Sequence, residues 1–123
     1  MKRHAPWIIG ALGLAVVIVA GILFAGPAFF RSEEMEGREA NIWLDNLGSR
    51  VELYRKTTGR YPATLRDLVG PYVKELELRD FWGNSYVYTV PGTQGRPFDL
   101  VTLGADGKPG GEGRGRDRVY KPR

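Results

Sequence analysis

The feature that most constrains this chain is a strongly apolar run without any charged residue at positions 7–30. In an α-helix a segment of this length rises about 36 Å, which is enough to cross the hydrocarbon core of a bilayer. Because the whole chain has 123 residues, too little protein remains to wrap such a helix in a core. We therefore predict a transmembrane helix, with Trp7 at one interface and Phe29 and Phe30 at the other.

The charges beside this segment predict its orientation. Lys2 and Arg3 precede it, whereas three glutamates soon follow it, so residues 1–6 are expected in the cytoplasm and the rest beyond the membrane. A cleaved secretory signal is the alternative, since small residues at 25–28 resemble a cleavage site. The apolar run is longer than an ordinary signal and continues past that site, which favours a retained anchor.

Composition excludes several kinds of site. There is no cysteine, so disulfides, thiol nucleophiles and thiolate metal sites are excluded, and the one histidine is His4, beside the membrane. Because the usual catalytic base is missing from the rest of the chain, we expect no enzyme. The net charge of +4 comes from basic residues near the two ends, which indicates topology and tail behaviour; we expect no nucleic-acid binding.

The segment at 33–58 has the pattern of an amphipathic helix with one core face. Apolar residues recur there at spacings of three and four, namely Ala40, Leu44, Leu47, Val51 and Tyr54. Gly59 is suited to the stop. Gly37 and Gly48 each cost about 1 kcal/mol relative to alanine, so the helix is expected to bend or to begin later.

The remainder predicts an α+β domain with a small antiparallel sheet. Thr64 and Asp67 have the spacing of a capping box, which predicts a short helix at 65–69. Segments 86–90 and 98–103 are rich in β-branched and aromatic residues, and the loop at 91–97 between them indicates a hairpin.

Beyond residue 103 the chain is dominated by glycine, charge and proline, so a disordered tail is the default expectation. Asp106, Glu112 and Asp117 nevertheless supply oxygen ligands within a glycine-rich loop, a combination that suits calcium. The opposite interpretation is that nearby cations neutralise these carboxylates, and the residues leave both open. The cations are Lys108, Arg114, Arg116 and Arg118.

Four segments together carry a family resemblance. They are LYR at 53–55, GRYP at 59–62, DFWGNSYVY at 80–88 and LGADGKPGGEG at 103–113. In this order, within residues 44–117, they resemble the major pseudopilin of the type II secretion system, general secretion pathway protein G. The WGN and LGADG stretches are the most specific pieces.

This resemblance implies a pseudopilin-like domain at 31–117 and a tail at 118–123, in a single-pass protein of the bacterial inner membrane with its domain in the periplasm. It implies a calcium site with Asp106 and Asp117 as side-chain ligands and the Leu103 carbonyl as a main-chain ligand. Glu112 occupies a matching position without an assigned role. The implied partners are other pseudopilins or secretion-apparatus proteins and the lipid bilayer, with self-association as a further option.

The N-terminus departs from the family pattern. Pseudopilins are cut just before a phenylalanine that precedes the hydrophobic segment, and a glutamate lies early in that segment. Here the segment precedes the similar site at Phe29, and residues 7–30 contain no glutamate. Two hypotheses follow: a structural component of a type II secretion apparatus that supports protein export, or a membrane-tethered periplasmic accessory or binding module that does not join a filament.

The WGN stretch has two interpretations of its own. Trp82 and Asn84 lie either on a contact surface between filament subunits or in a turn. We favour the turn, in which Gly83 and Asn84 supply permissive backbone and Trp82 fills the core.

Overall fold

The computed structural model describes the backbone of residues 6–123 and the side chains of residues 32–123. One α-helix, α1, runs from Pro6 to Thr58. The chain divides into two compact units, Met1–Glu34 and Met35–Arg123. Among the described residues searched for a membrane span, no helix is long and apolar enough to be one. The predicted span at 7–30 lies outside those residues.

In the second unit α1 contributes one face to the core, as the sequence spacing predicted. Four residues of the predicted stripe are buried and the fifth packs against them partly buried; they are Ala40, Leu44, Leu47, Val51 and Tyr54. The helix also ends where predicted, with Gly59 in the left-handed region at φ 86°. Its start differs from the prediction, because α1 already includes the residues before position 33.

The two helical glycines neither break α1 nor delay its start, and both face the C-terminal segment. A Cβ built on Gly37 would lie 2.6 Å from the Arg118 guanidinium, and one on Gly48 would overlap the ring of Tyr120. Glycine therefore allows the chain end to pass close to the helix. This approach explains why residues that weaken a helix occur within one.

The predicted hairpin is confirmed. Strands β1 (Val87–Thr89) and β2 (Asp99–Thr102) pair antiparallel, with Val87 opposite Val101. A third strand, β3 (Arg118–Val119), pairs antiparallel with β2, so the sheet order is β1-β2-β3.

The tail predicted from residue 118 is corrected by β3 and the residue after it. Tyr120 is buried, stacks on Phe98 with ring centroids 5.8 Å apart, and donates its backbone N–H to the Leu100 carbonyl at 2.9 Å. Burying so large a side chain is favourable enough to order the chain end. Composition alone could not indicate this, because one aromatic residue among charges looks like a tail.

Three 3₁₀ helices complete the domain, at Leu65–Leu68, Glu75–Leu78 and Gly113–Gly115. The first corresponds to the predicted short helix, although its turns are 3₁₀ in type. Its start has the expected capping contact, since the Thr64 backbone N–H donates to Asp67 Oδ2 at 3.1 Å. Leu68 and Val73 carry this segment into the core beside α1.

Candidate functional site

The loop at 103–117 joins β2 to β3 and is folded by main-chain hydrogen bonds. The Ala105 N–H donates to the Arg114 carbonyl at 2.8 Å, and the Gly115 N–H donates to the Glu112 carbonyl at 3.0 Å. Gly104 has φ 80°, and a Cβ there would lie 2.7 Å from the Arg114 carbonyl oxygen. Only glycine meets both conditions, so the two ends of the loop come together at this position.

Both predicted carboxylate ligands border the glycine-rich part of this loop. Asp106 Oδ1 accepts from the Lys108 N–H at 3.0 Å, and Asp117 Oδ2 accepts from the Gly110 N–H at 2.9 Å. The Asp106 Oδ2 atom lies 2.7 Å from the position a Cβ would take on Gly115. Asp117 Oδ1 is buried and has no hydrogen-bond partner among the described residues. An orphaned buried carboxylate oxygen is costly unless a donor or a cation reaches it.

The other two residues of the predicted site are less engaged. Leu103 lies half-buried just after β2, and Glu112 is exposed just before the last 3₁₀ helix. Within the described part of the chain, no three His, Cys, Asp or Glu side chains are grouped closely enough to hold a metal ion. A cation here would therefore depend on two carboxylates and on main-chain carbonyls.

Two arginines, Arg114 in the loop and Arg118 in β3, lie against α1. Arg114 Nε donates to Glu36 Oε2 at 2.6 Å, and the Arg118 guanidinium lies over Gly37. Among the ion pairs of the described residues, none involves Asp106 or Asp117. Neutralisation of these carboxylates by the nearby cations is therefore not what the structure contains.

Glu36 is the point at which α1 contacts both the WGN stretch and the loop at 103–117. Its Oε2 atom accepts from Arg114 and, at 3.3 Å, from the indole N–H of Trp82. Both donors stabilise the ionised carboxylate and so lower the pKa of Glu36 below its ordinary value. The hydrogen bond from Arg114 has the larger effect, and the one from Trp82 the next largest.

The DFWGN turn is organised by a buried carboxylate that sequence reasoning missed. Asp80 is 2% exposed, and its Oδ1 accepts from the backbone N–H groups of Trp82 at 3.0 Å and Asn84 at 2.8 Å. Its Oδ2 accepts from the Thr102 hydroxyl at 2.6 Å. An aspartate followed by a glycine-containing turn is the signal that was available, since Asp bonds to backbone two residues on.

The turn interpretation of the WGN stretch is confirmed for Gly83, which has φ 84°. It is wrong for the other two residues. Trp82 lies half-buried outside the core cluster, with its ring edge-on to Phe81, and Asn84 does not adopt positive φ. Asn84 instead donates its side-chain amide to the Gly104 carbonyl at 3.0 Å. Trp82 and Asn84 therefore form polar contacts, with Glu36 and with the Gly104 carbonyl, and do not supply the core packing and backbone freedom that were predicted for them.

Comparison with known proteins identifies the family. The family model described as type II secretion system (T2SS), protein G, matches residues 29–120. The chain belongs to this family. The protein G match includes the whole sheet and Tyr120, in agreement with the ordered chain end.

Individual members of the protein G family are similar over most of their length. Type II secretion system core protein G of Xanthomonas campestris pv. campestris is 34% identical over 124 residues, covering 88% of this chain and 86% of that protein. The Vibrio cholerae protein of the same name is also 34% identical, covering 85% of this chain and 83% of its own. The crystal structure of the major pseudopilin from the type 2 secretion system of enterohaemorrhagic Escherichia coli has a TM-score of 0.56 at 28% identity, covering 72% of this chain and 89% of that one.

Proposed function

We propose that this chain is a pseudopilin, a structural component of a type II secretion apparatus that supports protein export. The observation that carries the proposal is the coincidence of the protein G match at 29–120 with a domain whose fold resembles a major pseudopilin. The role is one of assembly rather than catalysis. The similarity to the Xanthomonas protein extends over 88% of the chain, so it includes part of the first thirty residues.

An exposed apolar line on α1 supports assembly with other pseudopilins, including further copies of this chain. Met35, Ile42 and Leu53 are 61%, 46% and 41% exposed. Their spacings of seven and eleven residues are close to whole helical turns, so all three lie along one side of the helix. Large apolar side chains aligned on a helix surface indicate a packing face for a neighbouring helix.

The proposed location is the bacterial inner membrane. The apolar segment at 7–30 is the anchor, residues 1–6 are cytoplasmic, and the domain is periplasmic. This arrangement rests on segment length and flanking charge. It leaves the exposed line of α1 outside the membrane core.

We also propose that the loop at 103–117 binds calcium. Asp106 and Asp117 would be the side-chain ligands and the Leu103 carbonyl a main-chain ligand. The unpartnered buried Oδ1 of Asp117 and the engagement of Arg114 by Glu36 support this assignment. Calcium takes oxygen ligands from flexible loops, and its charge would offset the two carboxylates. When bound, it would act as a structural cross-link between the two ends of the loop.

Gene deletion followed by complementation tests the structural role. Loss of this chain is expected to retain exported enzymes in the periplasm, and the wild-type gene is expected to restore them to the medium. Ile42→Glu should fail to restore secretion because it places a charge on the proposed packing face. Leu76→Glu is the matched control, since Leu76 is 83% exposed but lies off α1. Unchanged secretion after deletion would contradict the proposal.

Mass spectrometry of the mature protein separates a filament subunit from a tethered module. A mature chain whose first residue is an N-methylated phenylalanine favours the filament. An intact Met1, with no other secretion component in the purified membrane fraction, favours the accessory module.

Thermal unfolding tests the calcium site in the full chain purified in detergent. Calcium at about one hundred times its dissociation constant stabilises a folded state by about 2.7 kcal/mol, so the melting temperature should rise. Asp106→Ala and Asp117→Ala should each abolish the rise. Glu112→Ala is the matched control and should retain it. Identical wild-type melting curves in calcium and in chelator would remove the metal proposal.

A further inference from the structure

The buried Asp80 carboxylate links the DFWGN turn to β2. It accepts three hydrogen bonds, two from backbone N–H groups of its own turn and one from the Thr102 hydroxyl. Burying a polar side chain is costly unless it is hydrogen-bonded in this way. The position of Thr102 is therefore fixed relative to the turn. Thr102 is the last residue of β2 and lies two residues before Gly104.

The two sides of Gly104 are held by the same network. Its N–H donates to Thr102 Oγ1 at 3.3 Å, and its carbonyl accepts from the Asn84 side-chain amide at 3.0 Å. The same amide lies 3.5 Å from the Ala105 carbonyl oxygen. Asn84 thus holds the main chain immediately before Asp106.

Asn84 also contacts the loop just after Asp106. A Cβ built on Gly107 would lie 3.3 Å from Asn84 Cγ, so the amide group packs directly on this glycine. The Gly107 N–H in turn donates to the Gly104 carbonyl at 3.2 Å. The Asn84 side chain therefore constrains residues on both sides of Asp106. Asp106 lies within the turn from Gly104 to Gly107 that Asn84 contacts.

We propose that Asp80 and Asn84 are positioning residues for calcium binding: Asp80 fixes the turn and Thr102, and Asn84 fixes the backbone that presents Asp106. The proposal rests on the proposed calcium site. Neither residue is a ligand. Their effect is to hold the loop near its binding conformation before the ion arrives, so that less ordering accompanies binding. Partners of this kind typically change metal affinity about 10–100-fold when they are removed.

The competing account is that these residues stabilise the fold alone. Both accounts predict a lower melting temperature for Asn84→Ala in chelator. Only the positioning account predicts weaker calcium binding by molecules that remain folded. Calcium affinity, measured below the melting transition of each variant, is thus the readout that separates them.

Calorimetric titration of calcium into the full chain in detergent supplies that readout. Asn84→Ala is expected to raise the dissociation constant for calcium about 10–100-fold. Asp80→Asn is expected to raise it as well. Tyr88→Phe is the matched control, because it removes the 2.7 Å hydrogen bond to the Pro62 carbonyl, which involves no residue of the loop. It should lower the melting temperature and leave the dissociation constant unchanged. Asn84→Leu keeps side-chain bulk over Gly107 without the amide donor, and should weaken binding as the alanine variant does.

The outcomes distinguish the positioning role of Asn84 from the calcium site itself. If wild type and Asn84→Ala bind calcium with the same dissociation constant, the positioning role is overturned while the calcium site stands. If Asn84→Ala does not fold, the same comparison is made with Asn84→Leu. If the wild type itself gives no binding heat and no calcium-dependent melting shift, the calcium site is overturned and the positioning role with it.

Discussion

The core face of α1 and the loop at 103–117 are held by different forces. The helix face is apolar and nearly inaccessible, with Leu44 2% and Val51 0% exposed. The loop depends on main-chain hydrogen bonds, on the amide of Asn84, and on carboxylates of which one oxygen has no partner. The helix face is stabilised by its own buried apolar contacts. The loop is completed from outside, by the DFWGN turn, by α1 and by the proposed cation.

The largest expected effect comes from the apolar region. Leu44→Ala removes a fully buried side chain beside the sheet, and such substitutions cost about 2–5 kcal/mol of unfolding free energy. Denaturant unfolding of the full chain in detergent, in calcium and in chelator, measures this loss. The cost should be equal in the two conditions if the core is independent of the loop.

Leu53→Ala is the control for this prediction, because it deletes the same atoms from a side chain that is 41% exposed. It should change the free energy of unfolding by about 0.5 kcal/mol or less. Equal losses for the two leucines would show that the face described is not the core.

A smaller effect is expected where the chain end crosses α1. At an open helical site, replacing glycine by alanine stabilises by about 1 kcal/mol. Gly48→Ala should instead destabilise by about 1–3 kcal/mol, because its methyl group meets the Tyr120 ring. Asn41→Ala, at an exposed position of the same helix, is the control. A gain in stability from Gly48→Ala would mean that Tyr120 does not pack on the helix.

The smallest effect is expected at Glu36, which joins α1 to the loop on the molecular surface. The folded state lowers the pKa of this carboxyl, so its contribution to stability is present above the ordinary pKa of 4.5 and is lost as the pH falls through the lowered value. Glu36→Gln should therefore be less stable than the wild type at pH 7, and the difference should shrink in acid. Glu34→Gln, which removes a charge at an exposed neighbouring position, is the matched control. A difference that grows as the pH falls would contradict the contact with Arg114.

The same contrast explains what the sequence could predict. The core face and the hairpin follow from local periodicity, because a repeat of three to four or of two residues specifies which side chains face inward. The helix end at Gly59 and the helix start at Thr64 could be predicted for a similar reason, since the signals for helix ends lie in neighbouring residues.

Contacts between segments that are distant in sequence could not be predicted. The fit of Tyr120 against Gly48 and the bond from Asn84 to Gly104 join residues far apart in sequence, and no periodicity records them. β3 was missed for this reason: its two residues pair with β2, but their own composition resembles a tail. Trp82 was predicted to fill the core, whereas its indole N–H donates to Glu36.

The most direct test of this account is amide hydrogen exchange of the full chain in detergent, with calcium and with chelator. The account predicts that amides of the loop at 103–117 become more protected when calcium is added, while those of α1 at 44–54 remain equally protected in both conditions. Asp117→Ala should leave the loop at its chelator level. Loop protection that is the same with and without calcium, or helix protection that falls with the loop in chelator, would contradict the division of the domain into a self-sufficient core and a metal-completed loop.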